Sequence, residues 1–250
     1  EEMSGSPVYN CPNLTTITFP KTGKAVEGMK DMTASQFLGT LNLYMCPALE
    51  EIVNPPSEQL ANRLNTYHSL FEGVDPSRWV TEQSEAIVKA SNEITKGIKG
   101  DYEKARAIHE WVARNVVYDY EYHRGDKADC WTSAEDVLEH KLTVCAGYTA
   151  LTQALLQAQG IPAVYVHGAA GGGGHAWNVA YIDGRWVWID STWGRPGTGE
   201  LYNPQYFDPS DLFLAKTHAA MSTKSNNFKT GDPKAEVVNE ERPDPKDLPS

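Results

Sequence analysis

Apolar residues recur every three or four positions over much of the region between residues 81 and 159. This spacing is typical of helices that bury one face. It predicts four helices, in residues 81–100, 101–119, 132–140 and 145–159. Thr81 is the predicted cap of the first, and Thr132 with Glu135 forms a predicted capping box at the start of the third. The fourth is expected to end before Gly160.

Beyond Pro162 the apolar residues alternate with a period of two. The stretches AVYVHG, WNVAYI and RWVWID therefore predict three strands. Asp183-Gly184 separates the second from the third and is a strong signal for a two-residue hairpin turn. Helices followed by antiparallel strands predict an α+β domain.

A short frame occurs twice near the N-terminus. Residues Cys11–Pro20 and Cys46–Pro55 share C-P-x-L-x-x-I-x-x-P at a separation of 35 residues. Such a repeat indicates solenoid units that stack to bury one continuous face. We interpret Cys11 and Cys46 as stacked buried thiols, with a disulfide between them as the alternative. The frame resembles the leucine-rich repeats of bacterial surface proteins, and two repeats alone are expected to pack on the adjacent α+β domain.

These patterns divide the chain into three predicted parts. Residues 1–56 are the leucine-rich-repeat-like segment, and the break at Pro55-Pro56 ends it. Residues 57–222 are expected to form the α+β domain. Residues 223–250 are polar, with scattered proline and charge, and predict a disordered tail or linker.

Composition excludes several classes of function. The formal net charge of −11 over 250 residues argues against binding to nucleic-acid phosphates or to anionic lipid. No apolar run approaches the roughly 20 residues of a membrane span. The four cysteines form no CxxC and the seven histidines no HxxxH, so a structural zinc site is not expected. The chain starts without a signal-peptide pattern or a Met, and we interpret it as a mature or trimmed fragment.

Cys145 stands at the predicted start of the fourth helix. Backbone N–H groups there carry a partial positive charge, which favours the thiolate, and the thiolate is the nucleophilic form of cysteine. The alternative is that Cys145 is a small buried apolar residue.

His175 and Asp190 are expected to meet across the predicted hairpin. The turn at Asp183-Gly184 places Trp177 opposite Asp190, and His175 shares a face with both. A carboxylate bonded to one ring nitrogen fixes the tautomer of a histidine and stabilises its imidazolium. With Cys145 packed on that face, the three form a candidate nucleophile, base and orienting acid. A purely structural His–Asp pair is the alternative.

The stretches VCAGYTALTQALLQAQGIPA, HAWN, WVWIDSTWG and AIHEWVARNVVYDY resemble the transglutaminase-like superfamily. The resemblance covers residues 81–218 and implies a papain-like fold, in which a cysteine at a helix start packs against an antiparallel sheet carrying His and then Asp. It assigns Cys145 as nucleophile, His175 as general base and acid, and Asp190 as orienting acid. YFDPSDLFLAKTH (206–218) also resembles a stretch that lies after the core in bacterial members.

Other residues near this constellation have open roles. The resemblance suggests Trp131 or Tyr118 as an oxyanion donor, beside the N–H of Cys145, and either could equally be a core residue. His109 is interpreted as a packed or solvated helix residue, and His167 has no acid at a matching register. Residues 171–174 form a glycine run that is either a mobile rim or a plain loop.

The sequence thus predicts a thiol enzyme that acts on amide bonds of peptides or proteins through a thioester, by hydrolysis or transglutaminase-type transfer. The alternative is a catalytically inactive binding or adhesion module of the cell surface. We expect no metal or organic cofactor, a peptide or protein partner, no nucleic acid and no membrane-spanning segment. The sequence does not set the oligomeric state. The repeat resemblance places the protein outside a bacterial cell or on its surface.

Overall fold

The described part of the chain combines helices with one central antiparallel sheet. A computed structural model describes residues 11, 13–43, 46, 48–195 and 202–220. The predicted tail at 223–250 lies outside the described residues. The mixed helix-and-sheet architecture agrees with the α+β prediction.

The helices surround the sheet and range from one turn to four turns in length. Their bounds are α1 Lys24–Glu27, α2 Ala34–Thr40, α3 Glu58–Leu70, α4 Glu85–Ile94, α5 Asp101–Asn115, α6 Tyr120–Arg124, α7 Ala134–His140, α8 Cys145–Gln157, α9 Ser191–Gly194 and α10 Asp211–Ala215, with 3₁₀ turns at Pro76–Trp79 and Pro204–Tyr206.

The strands form one large and two small sheets. Their bounds are β1 Thr16–Thr18, β2 Glu51–Val53, β3 Val117–Tyr118, β4 Leu142–Thr143, β5 Ala163–Ala170, β6 Gly173–Ile182, β7 Arg185–Ile189 and β8 His218–Ala220. The large sheet is antiparallel, in the order β7-β6-β5-β8, and β1-β2 and β3-β4 are small parallel pairs.

The hairpin register is confirmed. Ile182 pairs with Arg185 and Asn178 with Ile189, as the turn at Asp183-Gly184 predicts. Both turn residues have positive φ, 50° and 86°, which is the combination that a type I′ turn requires. A one-residue slip would turn every side chain to the other face, so this register decides where His175 points.

The sheet separates two hydrophobic clusters. On one face α8 packs against the sheet and α5 and α4 pack on α8, with residues such as Leu151, Ile108 and Val187 in one buried cluster. On the other face, Val166 and Trp177 belong to a cluster that also contains Phe37 from α2. That second cluster therefore includes residues from both sides of the predicted boundary at residue 56.

The N-terminal strands pair at the spacing of the repeated frame. Thr16 lies opposite Glu51 and Ile17 opposite Ile52, in parallel, so equivalent positions 35 residues apart are neighbours. Cys46 is buried and Cys11 is half-buried, and both are thiols in the same cluster rather than halves of a disulfide. The assignment to leucine-rich repeats and the domain boundaries stay predictions.

Two predicted helix caps are wrong. The Thr132–Glu135 capping box is displaced by one residue, because Ser133 caps α7 and accepts the N–H of Asp136 at 3.1 Å. Thr81 lies four residues before α4 and bonds the side chain of Gln157 at 2.6 Å instead. Both segments contain several adjacent cap-forming residues, so the local signal does not choose between them.

The glycine run at 171–174 is only partly a loop. Gly171 and Gly172 form the turn, with φ of 61° and 86°. Gly173 and Gly174 are strand residues paired with Ala170 and Ala169. In the described parts of the chain, no helix combines the length and apolar character needed to traverse a bilayer.

Candidate active site

Cys145 is the first residue of α8, directly after β4 and the cap residue Val144. Val144 offers no side-chain cap. The start of the helix is fixed by close packing, because a Cβ added at Gly147 would lie 2.1 Å from the Thr143 hydroxyl and 2.7 Å from a methyl group of Val137. Cys145 itself is half-buried, so its thiol is held at a rigid helix start that solvent still reaches.

His175 lies on β6 between the thiol and a carboxylate. Its Nε2 is 2.8 Å from Oδ2 of Asp190, as the hairpin register predicts. The imidazole also interacts with the thiol of Cys145. Its side chain is 7% exposed and that of Asp190 is 1% exposed, so water screens the pair weakly.

Asp190 is held at both of its carboxylate oxygens. Oδ2 accepts from Nε2 of His175 and from Nε2 of His218, the latter at 3.0 Å. Oδ1 accepts the N–H of Trp193 at 3.0 Å, so Asp190 is also the N-cap of α9. Three donors on one buried carboxylate give it a single orientation.

The backbone around Asp190 is held just as firmly. Its N–H donates to the carbonyl of Tyr206 at 2.9 Å, and its carbonyl accepts from Nε2 of His109 at 3.1 Å. Nδ1 of His109 lies 2.7 Å from the hydroxyl of Tyr202. Burial lowers the pKa of His109 to about 4, so the ring is neutral, donates from Nε2 and accepts at Nδ1.

The electrostatics of the site favour a charged His175. Burial opposes the imidazolium, but hydrogen bonds to Asp190 and Cys145 outweigh it and raise the pKa of His175 to about 9. Burial likewise opposes the Asp190 carboxylate, yet the bonds from His175 and His218 hold its pKa below its ordinary value. An imidazolium beside a thiol stabilises the thiolate, so the arrangement can support nucleophilic attack.

The two proposed oxyanion side chains lie in different surroundings. Tyr118 is within electrostatic range of Cys145, and burial followed by that thiol's charge raises the pKa of Tyr118 to about 12, which keeps its O–H protonated. Trp131 is 42% exposed, and its ring stacks on His140 at 4.1 Å between centroids. Of the two, Tyr118 is the one with a recorded interaction with Cys145, and its hydroxyl also lies 3.3 Å from Nδ1 of His123.

His167, the competing histidine, has a buried Nε2 without a hydrogen-bond partner, and burial lowers its pKa. No acid bonds it among the described residues, in line with the sequence argument.

Two histidines that bond Asp190 have no role that the sequence assigns. His109, interpreted above as packed or solvated, is fully buried with both ring nitrogens bonded. His218 ends the stretch YFDPSDLFLAKTH, which the resemblance singles out without a role. The family resemblance of that stretch is the one feature of the sequence that marks His218. The sequence does not show that His218 contacts Asp190, because the two residues lie far apart along the chain.

His175, Asp190 and His218 also present three possible metal-ligand atoms within 4.8 Å of one another. Both Nε2 atoms lie at hydrogen-bonding distance from the same carboxylate oxygen. A metal would need the lone pairs of those nitrogens, whereas a hydrogen bond to a carboxylate places a proton on each. The geometry is that of a hydrogen-bonded cluster.

Comparison with known proteins agrees with this architecture. Residues 88–191 match the family model of the transglutaminase-like superfamily. The matched region includes Cys145, His175 and Asp190.

Similar proteins occur in animals and bacteria. The kyphoscoliosis peptidase of Mus musculus is 29% identical over 164 residues, which are 61% of this chain and 24% of that protein. The kyphoscoliosis peptidase of Homo sapiens is 31% identical over 133 residues, 48% of this chain and 20% of that protein. The chain thus spans about a quarter or less of the length of these relatives. Among solved structures, the periplasmic domain of TgpA from Pseudomonas aeruginosa is similar, with a TM-score of 0.41, 19% identity, and coverage of 48% of this chain and 49% of that one.

Proposed function

We propose that the protein is a thiol enzyme that acts on amide bonds of peptides or proteins, with Cys145 as nucleophile, His175 as acid and base, and Asp190 as the acid that orients His175. The observation that carries the proposal is the position of the His175 imidazole, which lies 2.8 Å from the Asp190 carboxylate and interacts electrostatically with the Cys145 thiol. A purely structural His–Asp pair has no need of a thiol that interacts with the imidazole.

In the proposed reaction the thiolate of Cys145 attacks the amide carbonyl. The N–H of Cys145 and the O–H of Tyr118 stabilise the oxyanion that develops. The C–N bond then breaks, the Nδ1–H of His175 protonates the leaving nitrogen, and a thioester remains on Cys145. Neutral His175 next takes a proton from the incoming water or amine, and the thiol is released.

Hydrolysis is the proposed outcome in preference to amine transfer. Cys145 is half-buried, so a thioester on it is open to water. Efficient transfer to an amine requires walls that exclude water from the acylated thiol. The name of the mouse and human relatives, a peptidase, also favours hydrolysis.

The test traps the intermediate. The protein is incubated with a panel of peptides, and intact mass reports an acyl group on the chain. We expect an adduct in the native protein and in Cys130→Ser, and none in Cys145→Ala. Cys130 is a matched control because it is also half-buried. The binding-module alternative would be favoured if Cys145 can be alkylated but no peptide forms an adduct and no product is released.

A second arm adds a fluorescent primary amine to glutamine-containing peptides. Ammonia release or chain cleavage should exceed amine incorporation. Incorporation faster than both would reverse the choice between water and amine.

Location at a bacterial cell surface is a further part of the proposal. It is supported by the resemblance of the frame at Cys11–Pro20 and Cys46–Pro55 to leucine-rich repeats, and by the parallel pairing of β1 with β2. Surface biotinylation of intact source cells should label the protein. Labelling only after lysis would contradict this location.

A further inference from the structure

His218 bonds the same carboxylate oxygen as His175, from a strand on the far side of β5. Gly168 of β5 pairs with His175 on β6 and with Ala220 on β8. Nε2 of His218 lies 3.0 Å from Oδ2 of Asp190, beside the 2.8 Å bond from His175. Two imidazoles therefore share one acceptor atom.

We propose that His218 is a positioning residue of the active site, which holds the Asp190 carboxylate in place and competes with His175 for Oδ2, so that His175 remains acidic enough to protonate the leaving nitrogen. The proposal rests on the function proposed above, because it concerns the proton that His175 delivers.

The other contacts of His218 fix its ring as a neutral donor. Nδ1 lies 2.8 Å from the hydroxyl of Thr217, which donates to it when the ring is neutral. Burial lowers the pKa of His218, although its bond to Asp190 opposes that effect, and the charges on His175 and Arg63 act in the same direction as burial. The only proton on the ring is then on Nε2 and points at Asp190.

Side chains of α3 anchor the backbone of β8 and the end of the preceding helix α10. The hydroxyl of Tyr67 donates to the carbonyl of His218 at 2.7 Å, and the guanidinium of Arg63 donates to the carbonyl of Ala215. Tyr67 is 1% exposed and His218 is fully buried. These bonds fix the main chain that carries the ring. Rotation of the ring away from Asp190 would break its own bonds to Asp190 and Thr217, which are costly to leave unmade in a buried position.

Sharing an acceptor weakens each of the two bonds. A carboxylate oxygen that accepts a second N–H has less negative charge to offer the first, so the His175 imidazolium is less strongly stabilised than it would be with Asp190 to itself. Asp190, His218 and Cys145 face the His175 ring. Arg63 and Tyr67 lie near His218, and His109 and Tyr206 lie near Asp190. Apart from the substituted residue, these groups are unchanged in the variants below.

The test measures the titration of His175 without substrate. Long-range ¹H–¹⁵N spectra of the ¹⁵N-labelled protein follow each imidazole with pH, and His175→Gln identifies the signal among the seven histidines. In His218→Leu the His175 titration should move upward by about half a unit or more, because a competing donor is lost. His218→Gln, whose amide nitrogen can replace Nε2, should titrate like the native protein.

Activity supplies the second readout. In His218→Leu, kcat should fall about three- to tenfold with KM unchanged, because a less acidic His175 is a poorer proton donor. If His218→Leu does not fold, His218→Asn serves instead. The shorter Asn side chain places its amide where Nδ1 of His218 lies, so it cannot reach Oδ2 of Asp190. An unmoved His175 titration in the folded Leu or Asn variant overturns the proposal, whether or not the native protein cleaves any peptide. Absence of turnover alongside a moved titration contradicts only the proposed function.

Discussion

His109 donates from Nε2 to the main-chain carbonyl of Asp190, at 3.1 Å, and this contact leaves no room for a side chain at Gly194. A Cβ added at Gly194 would lie 2.5 Å from Nε2 of His109. The ring of His109 is fully buried and cannot retreat without displacing the core around α5.

Gly194→Ala should therefore destabilise the protein by about 1–3 kcal/mol, the usual cost of overpacking a core. Urea unfolding followed by circular dichroism measures it. Gly39→Ala is the matched control, because Gly39 lies inside α2 with no atom within 4 Å of the added Cβ. The control should be neutral or slightly stabilising. If Gly194→Ala were as stable as Gly39→Ala, the ring of His109 would be able to move away from the added methyl group at little cost.

Cys145 should react with iodoacetamide before the other cysteines at mildly acidic pH. Among the described cysteines it is the one that combines a helix start with an imidazolium partner, and the thiolate is the reactive form. Peptide mass mapping identifies the labelled site, and His175→Ala should slow the reaction at Cys145 while leaving Cys130 unchanged. Faster labelling of Cys130 in the native protein would count against the assigned nucleophile.

Asp190→Asn should lower turnover by about two to four orders of magnitude. The amide oxygen of Asn can still cap α9. The amide nitrogen then faces His175 and His218, and it cannot accept a hydrogen bond from either ring. His175 then loses its orientation and its charge partner. Circular dichroism should show a folded protein. Unfolding of the variant would make Asp190 chiefly structural, and near-native turnover would contradict its assigned role.

The stability of the folded protein should decrease between about pH 6.5 and pH 9. The pKa of His175 rises from 6.5 to about 9 on folding, so its charge stabilises the native state below pH 6.5, and that contribution is lost as the pH increases toward 9. The shift corresponds to about 3 kcal/mol. His109 and His218 have lowered pKa values, so their contributions change below pH 6.5 instead.

Urea unfolding at pH 6.5 and pH 9 gives the free-energy difference, and Asp190→Asn is the comparison. Because the variant lacks the carboxylate that stabilises the imidazolium, its unfolding free energy should change much less across this range. A native protein equally stable at both pH values would show that His175 does not carry the charge.

Tyr118→Phe should lower kcat by about tenfold or more with little change in KM, because an oxyanion donor acts in the transition state. Trp131→Phe is the matched comparison, since both variants remove one polar hydrogen from an aromatic side chain near the helix start. We expect it to retain most of its activity. The opposite ranking would assign the oxyanion to Trp131.

The hairpin shows what local pattern can predict. Asp183-Gly184 sets the turn type, the turn sets the register, and the register brings His175 to Asp190. Periodicity and Gly160 together place Cys145 at a helix start. Each of these steps uses residues close together in the sequence, where dihedral preferences and alternation act directly.

The missed features depend on contacts between distant parts of the chain. His218 reaches Asp190 because the three-residue strand β8 pairs with β5 some 50 positions earlier, and a strand so short has no alternation to detect. His109 bonds a backbone carbonyl, which every residue possesses, so nothing in the sequence marks its partner. Such pairings depend on tertiary packing rather than on local propensity.

The cluster that joins Phe37 of α2 to Val166 and Trp177 of the sheet has a practical consequence for dissecting the chain. A polypeptide shortened to begin at residue 57, where the repeats end, would present that apolar face to water. It would also lose the bond from the hydroxyl of Ser57 to the carbonyl of Met32, near the start of the helix that carries Tyr67. Such a fragment should be prone to aggregation and proteolytic attack. The segment before residue 57 thus acts as a solubilising cover for the central sheet.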